Sequence, residues 1–249
     1  MPDGPVISLQ GLSKRFADGP LVLEDISLTA NNGEIISIVG PSGCGKSTLL
    51  RLIAKLIPAT SGEIQHSGNN INPAFIFQDA TLLPWANVKE NIAVPARLKG
   101  ISKSERLDTA CKWANTVGLN DVLDYYPRQL SGGMKMRVSI ARALSQSPNL
   151  LLLDEPFGAL DAITRNRLNE DLLRLHKESR WTAFFVTHSV TEAVFLSNRI
   201  VIMNNNPGSV AAIIENTLPF PRDSHTRESI EFQQRVAEAT ARLHQVLSS

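Results

Sequence analysis

The sequence lacks a long hydrophobic run. No stretch approaches the roughly 20 apolar residues that a membrane-spanning helix needs, and the apolar segment Leu150 to Leu153 ends at two acids. We therefore expect that the chain does not span a membrane. The first residues, Met1-Pro2-Asp3-Gly4, also lack the basic start and the apolar core of a secretory signal.

Cysteine is scarce, and neither sign of charge dominates. The sequence has two isolated cysteines, Cys44 and Cys111, and no secretory signal. This pattern is typical of free thiols in a reducing compartment, and a disulfide between the two is the alternative. The 25 basic and 24 acidic residues leave a net charge of +1. Such a balance produces no overall field that draws a protein onto nucleic acid or an anionic bilayer. Charge alone therefore names no partner, and a local charged patch remains an alternative.

The composition is that of a globular protein, and the pattern along its 249 residues predicts an α/β fold. Short apolar stretches alternate with turn residues near the start, and the β-branched run that ends at Val39 is followed by a glycine-rich loop and a helical pattern. Helical texture continues from about residue 79 to 145, where Ser102 and Glu105 form a capping box and Gly118 marks a stop. Strands return after Pro148.

This organisation predicts one domain over residues 1–249. We assign residues 1–78 and 146–215 to an α/β core, 79–145 to an inserted helical subdomain and 216–249 to a C-terminal helical tail. The apolar residues of the tail keep helical spacing, which predicts a helix packed on the core. They are Ile230, Phe232, Val236, Leu243 and Leu247.

A glycine-rich octet is the first motif that carries chemistry. It fits the phosphate-binding pattern of glycine, four residues, glycine, lysine and serine or threonine, and it lies between a predicted strand and a predicted helix. Backbone N–H groups and the helix N-terminus would bind phosphate oxygens, the lysine would reach the β and γ phosphates of ATP, and the serine would ligate Mg²⁺. The predicted ATP-binding residues are Gly40, Pro41, Ser42, Gly43, Cys44, Gly45, Lys46, Ser47 and, in the following helix, Thr48.

The second motif is the apolar strand Leu150 to Leu153, which delivers Asp154 and Glu155 at its end. Open α/β sheets bind ligands at the carboxyl ends of their strands. Asp154 is suited to hold magnesium through water, and Glu155 to polarise the attacking water. A buried strand that merely ends in solvated charges is the alternative.

A third motif separates this sequence from other phosphate-loop ATPases. It is Leu130-Ser131-Gly132-Gly133-Met134, before a helical run. Together with Phe16, Gln78, Asp161 and His188, the set closely resembles the nucleotide-binding subunits of ABC transporters, in the family's order and from Phe16 to about Gly208. The resemblance implies a P-loop NTPase fold of the ABC type with an inserted helical subdomain.

The resemblance also implies roles for these residues. Phe16 would stack on adenine, Gln78 would ligate magnesium and orient water, and His188 would touch the γ-phosphate and support Glu155. The alternative roles are an ordinary core aromatic for Phe16, a surface glutamine for Gln78 and a capped or core histidine for His188. Ser131, Gly132, Gly133 and Asp161 would contact ATP held by a second copy. The remaining histidines show no metal-ligand spacing, and we expect them at the surface: His66, His176, His225 and His244.

The partners implied by the resemblance are a second copy of the chain, an integral membrane permease and a separate solute-binding protein. The chain would then lie at the cytoplasmic face of the bacterial inner membrane, peripheral and held by the permease. The stretch Ala80 to Trp85 occupies the place where the family receives its permease helix, unless Trp85 and its neighbouring leucines simply pack the insert.

The finer resemblance is to importer ATPases of the nitrate, sulfonate and taurine group. It rests on Phe77-Gln78, on Leu82 to Trp85 and on the segment that follows Thr187. The predicted function is ATP hydrolysis that energises import of a small solute. An exporter ATPase and a soluble ABC ATPase acting on DNA or ribosomes are the alternatives, and the compact insert and balanced charge disfavour the second.

Overall fold

The computed structural model describes residues 5–66, 71–205 and 207–248. The first four residues, whose composition argued against a secretory signal, lie outside this range. The described strands are β1 Ile7–Arg15, β2 Leu21–Ala30, β3 Ile35–Val39, β4 Ser61–His66, β5 Pro73–Ile76, β6 Leu150–Asp154, β7 Thr182–Val186, β8 Arg199–Met203 and β9 Val210–Glu215. The described helices are α1 Lys46–Ile53, α2 Val88–Ile92, α3 Val94–Leu98, α4 Lys103–Thr116, α5 Gly132–Leu144, α6 Ala162–Ser179, α7 Val190–Leu196, α8 Ser224–Glu228 and α9 Ile230–Ser248.

The central sheet has six strands in the order β5-β6-β7-β3-β8-β9. All neighbours are parallel except β8 and β9, which pair antiparallel. Every residue of β3, β6 and β7 is buried. A parallel sheet covered on both faces needs such continuous apolar strands. The carboxyl ends of β3, β6 and β7 therefore meet at one edge of the sheet.

A second sheet of three antiparallel strands has the order β2-β1-β4. In β1 the burial alternates, with Ile7, Leu9 and Leu12 in the core. This alternation lets one face of an antiparallel sheet pack while the other faces solvent. The buried face joins α1 and one side of the central sheet in a common core, which brings β2 close to the loop after β3.

Helices α2 to α5 occupy the segment between β5 and β6. Arg137 of α5 pairs with Asp171 of α6 at 2.6 Å and donates to the carbonyl of Val117 at 2.7 Å. These contacts hold the end of α4 and the start of the insert's last helix against the core. Ser102 caps α4 by accepting from the Glu105 N–H at 3.4 Å, and Gly118 adopts a positive φ after the helix.

The C-terminal segment packs as two helices, α8 and α9. Phe232 is fully buried, and Val236 and Leu243 pack partly against the core. The expectation is wrong for the two ends of the predicted face, because Ile230 and Leu247 are exposed. Phe232 in the first turn and Val246 in the last turn of α9 pack on the core, so Ile230 and Leu247 lie on the side of the helix that faces solvent.

Two histidines expected at the surface, His66 and His176, are instead partly buried, whereas His225 and His244 are exposed as expected. His176 of α6 bonds the carbonyl of Gly33 at 3.0 Å and packs edge-on against Trp181. Of the described helices, none combines the length and apolar character required to cross a bilayer. Cys44 and Cys111 are free cysteines.

Candidate nucleotide site

The loop between β3 and α1 forms the base of a cavity of 240 Å³. Gly45 has φ +94°, a conformation that L side chains rarely adopt, and a Cβ there would lie 2.6 Å from the Leu23 side chain. Glycine is therefore required for the loop to pass β2. The cavity is lined by Val22, Ser42, Gly43, Gly45, Lys46, Ser47, Thr48, Glu155 and His188.

Lys46 is bound back onto its own loop. Its Nζ donates to the carbonyls of Gly40 and Pro41, each at 2.9 Å. Cys44 turns its side chain into the core, where burial raises the pKa of the thiol. A buried thiol with a raised pKa is a poor nucleophile, so Cys44 is suited to packing and not to redox chemistry. Three of the predicted ATP-binding residues therefore do not line the cavity and instead support the loop on its core side: Gly40, Pro41 and Cys44.

Ser47 and Asp154 are brought together from α1 and β6. The Ser47 hydroxyl donates to Asp154 Oδ1 at 2.8 Å. Burial raises the pKa of Asp154, although the Ser47 hydrogen bond acts in the opposite direction. A buried carboxylate beside a hydroxyl is a donor set of hard oxygens that fits Mg²⁺, an ion usually held by one or two protein groups plus substrate phosphates. In the part of the chain described, three or more His, Cys, Asp or Glu side chains nowhere cluster as a metal site.

Glu155 and His188 are in direct contact at the wall of the cavity. His188 Nε2 lies 2.7 Å from Glu155 Oε1, so the imidazole N–H donates to the carboxylate. Glu155 has φ +49° and its N–H donates to the carbonyl of Val186 at 3.0 Å. A non-glycine residue held in the left-handed region is strained, and such strain clusters at functional sites. The backbone thus aims the Glu155 side chain at the histidine.

Two residues of this site were not predicted from the sequence. Val22 lines the cavity from the second sheet, a placement that no local pattern indicates. Thr187 holds the His188 loop, because its hydroxyl donates to buried Glu192 at 2.5 Å and accepts from the Ser189 N–H at 3.0 Å. The Thr-x-Ser spacing beside His188 is the signal that could have revealed this turn.

Gln78 and Phe16 lie at the borders of the site. Gln78 is exposed, and its side chain lies near the turn that follows Glu155. Its Nε2 is 3.9 Å from the position that a Cβ would occupy on Gly158 of that turn. Phe16 is 47% exposed, with Lys14 Nζ 4.8 Å from its ring centroid. The core-aromatic alternative for Phe16 is therefore wrong, whereas stacking on adenine stays a prediction.

The residues expected to act in a second copy form a separate surface. Ser131 caps α5 by accepting from the Met134 N–H at 3.3 Å, and Asp161 caps α6 by accepting from the N–H groups of Ile163 and Thr164. These backbone donors also lower the pKa of Asp161. A Cβ on Gly133 would lie 2.7 Å from the Thr164 side chain, and one on Gly132 would lie 3.1 Å from Leu160. The two helix N-termini thus pack side by side, and their contact with ATP in trans stays a prediction.

The fold and the cavity define a phosphate-loop nucleotide-binding protein with an inserted helical segment. The sequence profile described as "ABC transporter" matches residues 23–158. The aliphatic sulfonates import ATP-binding protein SsuB of Bacillus cereus is 46% identical over 233 residues, covering 90% of this chain and 91% of the relative. The taurine import ATP-binding protein TauB of Escherichia coli O157:H7 is 46% identical over 206 residues, covering 80% and 81%.

A solved structure supports the same assignment. The dimeric post-hydrolysis state of the ATP-binding cassette MJ0796, bound to ADP and Pi, has a TM-score of 0.75 and 30% identity, and covers 86% of this chain and 100% of its own. The chain belongs to the ABC transporter family. The predicted fold, with its P-loop core of the ABC type, and the predicted ATPase are thereby confirmed, and the protein binds ATP as an ABC ATPase.

Proposed function

We propose that two copies of this chain bind two ATP molecules between them and drive import of a small solute through integral membrane permease subunits. The observation that carries the proposal is the division of the site. Lys46, Ser47, Glu155 and His188 line one cavity, whereas Ser131, Gly132, Gly133 and Asp161 are not among its lining residues. A second copy would complete each site, an arrangement that the dimeric structural relative supports.

Each copy would supply its own hydrolytic groups. Lys46 would exchange its two carbonyl partners for the β and γ phosphates, and the loop N–H groups would bind the remaining phosphate oxygens. Glu155 would accept a proton from the water that attacks the γ-phosphate, and His188 would hold the carboxylate in place. Mg²⁺, bound by Ser47, by Asp154 through water and by Gln78, would supply positive charge to the phosphate oxygens.

ATP would then favour closure of the dimer by mass action, because it binds the closed pair across both surfaces. Hydrolysis would remove that bridge and let the copies part. The permease would convert this opening and closing into transport.

The permease would dock beside the segment from Ala80 to Trp85. Arg142 donates to the carbonyls of Ala80 and Thr81 at 3.0 and 2.9 Å, and Asn91 bonds both backbone groups of Leu83. Trp85 is 72% exposed on this firmly held segment, so the alternative that it packs the insert is wrong for Trp85, whereas Leu82 does pack partly against the core. An exposed tryptophan on a firmly held segment suits burial against a partner helix.

The solute is proposed from the relatives, which are named for import of aliphatic sulfonates and of taurine. We infer a sulfonate, taurine-like, nitrate or related small solute, delivered by a separate solute-binding protein. The chain would lie at the cytoplasmic face of a bacterial inner membrane, held by the permease and without a nucleic-acid partner. Purification of the assembled complex, followed by a ligand screen on its solute-binding protein, tests this assignment; a complex that exports solute would overturn it.

Glu155→Gln tests the catalytic assignment. The amide cannot accept the water proton, so we expect phosphate release to fall at least a hundredfold, while ATP binding persists and size-exclusion chromatography shows an ATP-stabilised dimer. Glu178→Gln, an exposed carboxylate of α6, is the matched control and should keep normal turnover. Undiminished phosphate release by Glu155→Gln would refute the general-base role.

A further inference from the structure

A cavity of 640 Å³ lies at the edge of the central sheet opposite the phosphate loop. Its walls are the turn that precedes β3, the last turns of α6 and the segment Phe220 to Asp223. Because β3 begins at Ile35 beside this cavity and ends at Val39 before the phosphate loop, the strand separates the two places. The volume is within the range of about 300–1,000 Å³ that small-molecule sites occupy.

One wall of the cavity is apolar and firmly held. Leu173, Phe220 and Pro221 supply its apolar surface, and Phe220 is 43% exposed. The guanidinium carbon of Arg222 lies 3.9 Å from the centroid of the Phe220 ring. Arg222 is itself only 3% exposed, and its Nη atoms donate to four backbone carbonyls, so the wall is built before any ligand arrives.

The rim of the cavity carries an excess of free positive charge. Lys177 and Arg180 are exposed, and neither forms an ion pair with any residue that the structure describes. The acids that line the cavity are Glu170 and Asp223, and the Asp223 carboxylate already caps α8 through the Thr226 N–H at 3.1 Å.

The other three basic residues of the lining, Arg174, His176 and Arg222, have partners, and those of Arg222 are the carbonyls named above. Arg174 pairs with Asp171 at 3.2 Å. His176 contributes no charge at neutral pH, because burial lowers its pKa. Lys177 and Arg180 are therefore the cations that remain available to a ligand.

An apolar wall below two unpaired cations fits a ligand with an apolar body and one anionic group. We propose that this cavity is a binding site for a small organic anion, separate from the nucleotide site. The apolar body would lie on Phe220 and Leu173, and the anionic group would lie between Lys177 and Arg180. The site would not require ATP, because its walls share no residue with the lining of the phosphate cavity.

Isothermal titration calorimetry of the full chain with naphthalene-2-sulfonate tests the proposal, since this probe stays anionic at every relevant pH. Naphthalene-2-sulfonamide is the neutral control of the same shape. We expect the sulfonate to bind at least tenfold more tightly than the sulfonamide, and its affinity to fall as salt concentration rises. Equal affinities for the two probes, or no binding at millimolar concentration, would overturn the proposal.

Three variants locate the bound probe. Lys177→Glu and Arg180→Glu should each weaken sulfonate binding at least tenfold, whereas Lys103→Glu, at an exposed lysine of α4, should leave it unchanged. Circular dichroism melts of each variant establish that the fold persists. Lys46→Ala should still bind the probe, because the phosphate loop is elsewhere. Binding that is insensitive to Lys177→Glu and Arg180→Glu, or lost in Lys46→Ala, would place the probe at another site and contradict the inference.

Discussion

At the scale of single residues, the ionised Asp154 carboxylate that Mg²⁺ binding would require lowers the stability of the folded chain. Its side chain is 8% exposed, and burial raises the pKa of the carboxyl in the folded chain above its value in the unfolded chain. The folded state therefore holds the proton more tightly. The free energy of unfolding falls as pH rises through the interval between the two pKa values, and the ionised carboxylate costs stability at neutral pH.

We therefore expect Asp154→Asn to raise the thermal midpoint of the chain at pH 7 without nucleotide or Mg²⁺. The amide oxygen can still accept from Ser47, and in a chain of this size each kcal/mol of stability gained raises the midpoint by about 2–4 °C. The difference in midpoint between Asp154→Asn and the parent should shrink as pH approaches 4. Added Mg²⁺ and ATP should raise the midpoint of the variant less than that of the parent. Differential scanning calorimetry measures both effects. Asp108→Asn, at an exposed position of α4, should change nothing; a lower midpoint for Asp154→Asn would contradict the assigned sign.

At the scale of elements, α7 connects the nucleotide cavity to the C-terminal segment. It begins two residues after His188, and its last carbonyls accept from Arg222. Arg227 lies 3.5 Å from the centroid of the Phe195 ring in α7, and Phe232 of α9 packs edge-on against the same ring. The C-terminal segment thus packs against α7, the helix that follows the His188 loop, and stabilises its position.

Arg222→Met should lower the free energy of unfolding by about 2–4 kcal/mol, because carbonyls of α7 lose a charged donor inside the core. Urea denaturation followed by circular dichroism measures the loss. Arg222→Lys should recover part of it, since an ammonium can reach some of the same oxygens. Arg242→Met on α9 is the surface control, with an expected change within about 0.5 kcal/mol. A neutral effect of Arg222→Met would show that the guanidinium does not hold α7 and the tail together.

At the scale of the whole molecule, the structure leaves two surfaces without a partner among the described residues. One carries Ser131, Asp161 and the exposed Ile163, and the other carries Trp85. The first suits a second copy and the second suits the permease. With a net charge of +1, membrane association should depend on that permease contact and not on lipid charge.

Trp85→Ala should reduce recovery of the permease in copurification at least tenfold, because buried tryptophans often dominate the energy of an interface. ATP binding by the variant should equal that of the parent, since Trp85 does not line the nucleotide cavity. Ile230→Ala, another exposed apolar side chain, is the matched control. Unchanged recovery of the permease with Trp85→Ala would refute the proposed contact.

The sequence alone was sufficient for the features that depend on local patterns. Three such features are the phosphate loop, the strand before Asp154 and the capped helix at Ser102. Each lies in one continuous segment, so the residues that form it are close in the chain and therefore close in the structure. The order of such segments predicted an α/β core with a helical insert, and the resemblance of their motifs to the family predicted the ABC type. The second sheet was not predicted as a separate sheet, because β1, β2 and β4 pair across long intervals of chain and leave only short alternating patterns.

Only tertiary packing decided which residues meet. Glu155 and His188 are 2.7 Å apart because β6 and β7 are neighbours, and Ser47 reaches Asp154 because α1 packs beside β6. The same packing buries Cys44 fully and His176 partly, exposes Trp85 and Ile230, and brings Phe220 to the cations at the end of α6. Local sequence sets the conformation of each segment, whereas burial of apolar surface between distant segments sets their arrangement, and that arrangement creates both cavities.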